Sequence, residues 1–84
     1  MTPEAAAMIT FLKQRVLRDG SIAIDEDTSL VASGLVDSLS LVEVLMELSR
    51  VTGRRIPASR VSPEHFETVA EMLAMAERLR ATAR

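Results

Sequence analysis

The chain has no cysteine, no tryptophan and no tyrosine. Without cysteine there is no disulfide framework, no thiolate metal site and no thiol nucleophile. Phe11 and Phe66 are the only aromatic residues. The core must therefore be built from Leu, Val, Ile, Met and Ala, which suits packed helices better than a β-sandwich or barrel. No apolar run approaches the ~20 residues that span a bilayer. Met1-Thr2-Pro3-Glu4 is not a basic region leading into an apolar run, so no targeting segment is read and the cytoplasm is the expected compartment. The glycine-rich patterns that cradle phosphates are missing. Asp25-Glu26-Asp27 lacks the glycine and terminal glutamate spacing of a calcium loop, and no metal site is expected. His65 is the only histidine, and nothing in the sequence links it to a serine as base or orienting group, as nucleophilic catalysis would require.

What is present is a chain of 84 residues, 48% of them hydrophobic. That is a folded domain rather than a disordered segment, read as one unit over residues 1–84. So small a domain encloses no large substrate pocket. It reads as a module that enzymes act upon, not as an enzyme, and as a monomer. The net charge of −2 conceals two blocks. Residues 19–47 carry seven acids (Asp19, Asp25, Glu26, Asp27, Asp37, Glu43, Glu47) and no Lys or Arg. Residues 48–60 carry Arg50, Arg54, Arg55 and Arg60 and no acid. With no overall basic charge and no stacking aromatics beside them, these arginines do not make a nucleic-acid site.

Glycine and proline fall at apparent boundaries. Thr2-Pro3 reads as a cap and first turn. From there a first helix is predicted to about Arg18, with Ala5, Ile9, Leu12 and Val16 as its stripe, Met8 and Phe11 widening it, and Gly20 as its C-cap. Residues 21–37 form a long connection whose apolar members (Ile22, Ile24, Leu30, Val31, Leu35, Val36) favour packing it down. A second helix is predicted over residues 38–52, stopped by Gly53. Leu41, Val44, Leu45, Leu48 and Val51 make its core stripe. Leu39, Val42 and Met46 make another to one side, either covered by the long loop or left for a partner. Ser62-Pro63-Glu64 opens a short third helix ending near Phe66. Thr68-Val69-Ala70-Glu71 is a capping box for a fourth helix with the stripe Val69, Met72, Leu73, Ala76 and Leu79. Arg78, Arg80 and Arg84 suit the C-terminal end of its dipole. The predicted fold is all-α: a small four-helix bundle of three main helices plus a short third.

The segment Gly34-Leu35-Val36-Asp37-Ser38-Leu39-Ser40-Leu41-Val42-Glu43 resembles the signature of acyl and peptidyl carrier proteins. Asp27-Thr28-Ser29-Leu30, Ile56-Pro57 and Thr68-Val69 extend the resemblance over nearly the whole chain. It implies that Ser38 is the attachment point of a covalent 4′-phosphopantetheine, placed there from coenzyme A by a magnesium-dependent phosphopantetheinyl transferase. Ser40 lacks the preceding aspartate and is the lesser candidate. The resemblance gives Asp37 the roles of helix cap and transferase contact. Leu39, Val42, Glu43, Met46 and Glu47 become the face read by partner enzymes. Those partners are a loading enzyme, either an adenylating ligase or an acyltransferase, and downstream condensing or transferring enzymes of fatty-acid, polyketide or nonribosomal peptide type. The cargo is an acyl, aminoacyl or peptidyl thioester. Three features look closer to stand-alone carriers serving adenylating ligases: the arginines at and after the end of the second helix, the two residues between Gly34 and Asp37, and the long 57–66 stretch. The arginines are expected to face an acidic partner surface. The alternative is a helical docking or regulatory module with no prosthetic group.

Overall fold

In the computed structural model, which describes residues 2–57, 59 and 61–82 with side chains through Leu79, three α-helices pack around one core. Helix α1 spans Pro3–Phe11, α2 spans Ser38–Thr52 and α3 spans Val69–Thr82. Each pair of them is in contact. Thr2 caps α1 by accepting from the Ala5 amide at 3.1 Å, and Pro3 occupies the first turn, where its missing N–H costs no hydrogen bond. Ala5, Met8, Ile9 and Leu12 are buried along one face of α1 and its continuation.

The end of the first helix differs from expectation. After Phe11 the chain widens into a π-helical turn over Leu12–Val16, where the Leu17 amide donates to the Leu12 carbonyl at 2.8 Å. Arg18, not Gly20, then takes the left-handed conformation, at φ 54°. The Asp19 amide closes the turn on the Lys13 carbonyl at 3.0 Å. A helix ends where its last carbonyls find donors, and the wider turn brings that point two residues earlier than the glycine.

Helix α2 keeps its expected bounds, with Gly53 left-handed at φ 68° and its amide donating to the Ser49 carbonyl. Its Val44 and Leu48 are fully buried, while Leu41, Leu45 and Val51 are half-buried. The expected short third helix is a single 3₁₀ turn, Pro63–Phe66, so among the described residues the bundle has three α-helices rather than four. The cause is length. Only a few residues separate the Ser62 entry from the Thr68 cap of α3, and the turn closes through i to i−3 bonds from His65 to Ser62 and from Glu67 to Glu64. His65 has a local duty there: its Nδ1 accepts from the Ser62 amide at 3.0 Å. In α3 the Thr68 hydroxyl accepts from the Glu71 amide at 3.0 Å, the first of the two bonds of the expected capping box. Val69, Met72 and Ala76 are buried, joined by Met75, while Leu73 and Leu79 are half-buried. Arg60, Arg84 and the Arg80 side chain lie outside the described residues.

The 21–37 connection contains no strand. Ile24, Leu30 and Val36 insert into the core and hold it down. Its acids begin with a closed turn: the Asp25 carboxylate accepts from the Asp27 amide at 2.8 Å and from the Thr28 hydroxyl at 3.0 Å. The Glu26 carbonyl accepts from the Ala70 amide at 3.0 Å, which satisfies one of the orphan donors at the start of α3.

Candidate functional site

The Asp37-Ser38-Leu39 segment lies where the long loop becomes α2. Gly34 makes the final approach possible. Its φ of 82° is a conformation that side chains disfavour, and its amide donates to the Val31 carbonyl at 3.0 Å. Val36 is buried and its amide donates to the Leu30 carbonyl at 2.9 Å. The next residue, Asp37, leaves the core in an extended conformation and caps α2 by accepting from the Ser40 amide at 2.9 Å. The Ser40 amide and hydroxyl hold the Asp37 carboxyl below the ordinary aspartate range.

Ser38 is the first residue of α2 and is exposed. Among the described residues no group hydrogen-bonds its hydroxyl. Ser40 is half-buried and its amide donates to the Asp37 carboxylate. Two serines that look alike in sequence thus have different environments: one is tied into the cap, and the other stands free at the positive end of a 15-residue helix. The arrangement is open to solvent on the serine side. A phosphate ester formed there would lie at a helix N-terminus, where negative charge is favoured. His65 is occupied by its own turn. Among the described residues no group of His, Asp or Glu is arranged to hold a metal ion.

The side stripe of α2 is not covered by the loop. Leu39 is 85% exposed, Val42 61% and Met46 68%. Among the described residues these are the three large exposed hydrophobic ones, and they lie along one face of α2. Glu43 is exposed beside them. Glu47 departs from expectation. Its side chain is only 16% exposed and is held by the Arg50 guanidinium through both carboxylate oxygens. That contact, with Arg15 nearby, keeps the Glu47 carboxyl low. Glu47 is therefore neutralised within the chain, leaving Glu43 as the charge on this face without an ion pair among the described residues. The arginine block is similarly depleted. Arg50 serves Glu47, and Arg54 lies 3.6 Å from Glu77.

Glu67 escaped the sequence reading. Its carboxylate accepts from the Ser29 hydroxyl at 2.5 Å, the Val31 amide at 3.0 Å and the Ala32 amide at 2.9 Å. The Ser29 hydroxyl, followed by the Ala32 and Val31 amides, lowers its carboxyl pKa. No local pattern announces this, because the partners are more than thirty positions away. The Glu47–Arg50 pair, by contrast, is an i, i+3 spacing that could have been read.

The model of the phosphopantetheine attachment site family matches residues 10–76. No curated protein matches the chain. A crystal structure described as an FAD-dependent dehydrogenase is similar at 33% identity and a TM-score of 0.68, over 82% of this chain and 97% of the matched one. No helix among the described residues is long and apolar enough to cross a membrane. The family match spans most of the 84 residues, from within α1 to within α3, and includes the exposed serine. The chain belongs to the phosphopantetheine attachment site family, whose prosthetic group is a covalently bound 4′-phosphopantetheine.

Proposed function

We propose that the protein is a carrier, with its prosthetic arm on Ser38, that does no chemistry of its own. The observation that carries this reading is the free, exposed Ser38 hydroxyl at the first position of a capped helix. Attachment joins that oxygen to the phosphorus of coenzyme A's pantetheine phosphate, releases adenosine 3′,5′-bisphosphate, and passes the hydroxyl proton to the transferase. The arm supplies a terminal thiol for a thioester, which the cysteine-free chain lacks. The chain's own residues do the rest. Asp37 fixes the helix start, and Leu39, Val42, Met46 and Glu43 present an apolar stripe with one unpaired acid to successive enzymes. Encounters governed by one acid and a small apolar face are fast and reversible, which suits a carrier that must leave each partner. Tethering then raises the local concentration of cargo at each active site.

The proposed partners are a phosphopantetheinyl transferase, a loading enzyme of the adenylating-ligase or acyltransferase class, and enzymes that condense, transfer or modify the tethered acyl or aminoacyl group. One modifying class is suggested by the similar structure described as an FAD-dependent dehydrogenase. This 84-residue chain covers nearly all of the matched one. A chain so small, without a dinucleotide-binding glycine pattern, does not itself house FAD. The link proposed is that between a carrier and an enzyme that oxidises its cargo.

Intact mass after incubation with coenzyme A, magnesium and a broad-specificity transferase tests the assignment. One phosphopantetheinyl group should be gained by the wild-type protein and by Ser40→Ala, and none by Ser38→Ala. Absence of any gain with several transferases would favour a docking module without a prosthetic group.

A further inference from the structure

Glu67 stands between two elements, after the Pro63–Phe66 turn and before the Thr68 cap of α3. Besides the three bonds to its carboxylate, its backbone carbonyl accepts from the Leu30 amide at 2.7 Å. One residue thus fixes the whole 29–32 segment through four donors. Leu30 in turn accepts from the Val36 amide at 2.9 Å, and Val36 directly precedes the Asp37 cap and Ser38. The carboxylate pins the amides of Val31 and Ala32, next along the chain from Leu30, whose carbonyl holds the Val36 amide two peptide links before Ser38; the main-chain bond from Leu30 to Glu67 does not depend on the side chain. The loop has no ladder or helix of its own to order its backbone. The buried Leu30 and Val36 side chains set its depth, but apolar contacts are non-directional and do not set the direction in which the chain leaves the core. Charge-assisted hydrogen bonds to two successive amides do fix direction.

We infer that Glu67 is a positioning residue for the attachment site: it staples the 29–32 segment to the entry of α3 and so sets the place and orientation in which Asp37 and Ser38 meet the transferase. The inference rests on Ser38 being the attachment point, and its test separates the two. Glu67→Ala, Glu67→Gln and Ser29→Ala are compared with wild type by amide hydrogen exchange and by steady-state transferase kinetics. In Glu67→Ala, exchange at Val31, Ala32 and Val36 should rise about ten-fold, with the amides of Leu48 and Met72 unchanged. Its transferase kcat should fall about five-fold or more with KM little altered, because the exposed face of α2 is intact while the hydroxyl is misplaced. Glu67→Gln keeps an oxygen for the two amides and should recover most of the rate. Ser29→Ala should lie between, and it carries the test if Glu67→Ala does not fold. Unchanged exchange at Val36, or a loosened loop with unchanged kcat, overturns the inference. Failure of wild type to accept the group would instead sink Ser38 as the attachment point, with the exchange data still deciding whether Glu67 orders the loop.

Discussion

At the scale of the residue, Asp37 and Glu67 do related work. Each carboxylate accepts backbone N–H groups that water would otherwise have to satisfy, and each is held below its ordinary pKa, 3.8 for aspartate and 4.5 for glutamate. In the unfolded chain both carboxyls bind protons at higher pH than in the folded protein. Stability therefore rises with pH through the acid range, is fully present above those ordinary values, and is lost as pH falls through the folded ones. Thermal melts followed by circular dichroism should show a flat Tm above about pH 6 and a fall below about pH 4.5. Asp37→Asn should keep most of the neutral-pH Tm, because its side-chain oxygen still caps α2, but should show a shallower acid fall. Asp37→Ala should lower Tm at every pH above that range. Parallel acid curves for wild type and Asp37→Asn would contradict this account.

At the scale of the element, four helix ends are closed in three ways. Thr2 and Asp37 start helices with side-chain oxygens, and Gly53 ends α2 in a left-handed conformation. The first helix ends through a π-helical turn and a left-handed Arg18. A Cβ at Gly53 would meet no atom within 4 Å, so its requirement for glycine is purely one of backbone conformation. Gly53→Ala should then cost about 1 kcal/mol in urea unfolding. Gly20→Ala, where φ is not left-handed and space is equally open, should be neutral or slightly stabilising. The local pattern of Gly20 made it the obvious stop signal. The choice passed to Arg18 because Leu17 found its partner five residues back, a pairing that no propensity encodes.

At the scale of the whole molecule, the radius of gyration of 11.9 Å is close to the ~12 Å expected for a compact chain of this length, so the long loop is part of the body rather than an excursion from it. The two stripes of α2 make opposite contributions. Leu48 is fully buried, and Leu48→Ala should cost about 2–5 kcal/mol, a large share of what a domain this small possesses. Leu39→Asn, Val42→Asn and Met46→Gln should each change stability by less than about 0.5 kcal/mol, as exposed positions do. Combined, they should leave the urea midpoint nearly unchanged while slowing turnover of the loaded carrier by its partner enzymes. A large loss of stability in the triple variant would show that this face is structural.

The sequence by itself determined what depends on neighbours along the chain. The cap at Asp37, the bounds of α2, the Thr68 cap and the stripes of helical period are all set within a few residues of where they act, through period and hydrogen-bond reach. Tertiary structure alone decided matters that depend on what arrives from elsewhere. It left Leu39, Val42 and Met46 in solvent rather than under the loop, and it shortened the third helix to one turn between two fixed anchors. It drew Arg54 to Glu77, and it brought the Glu67 carboxylate to Ser29, Val31 and Ala32. The physical reason is that a lone carboxylate has no period and no motif. Its partners are chosen by which backbone donors the packed core leaves unsatisfied within its reach.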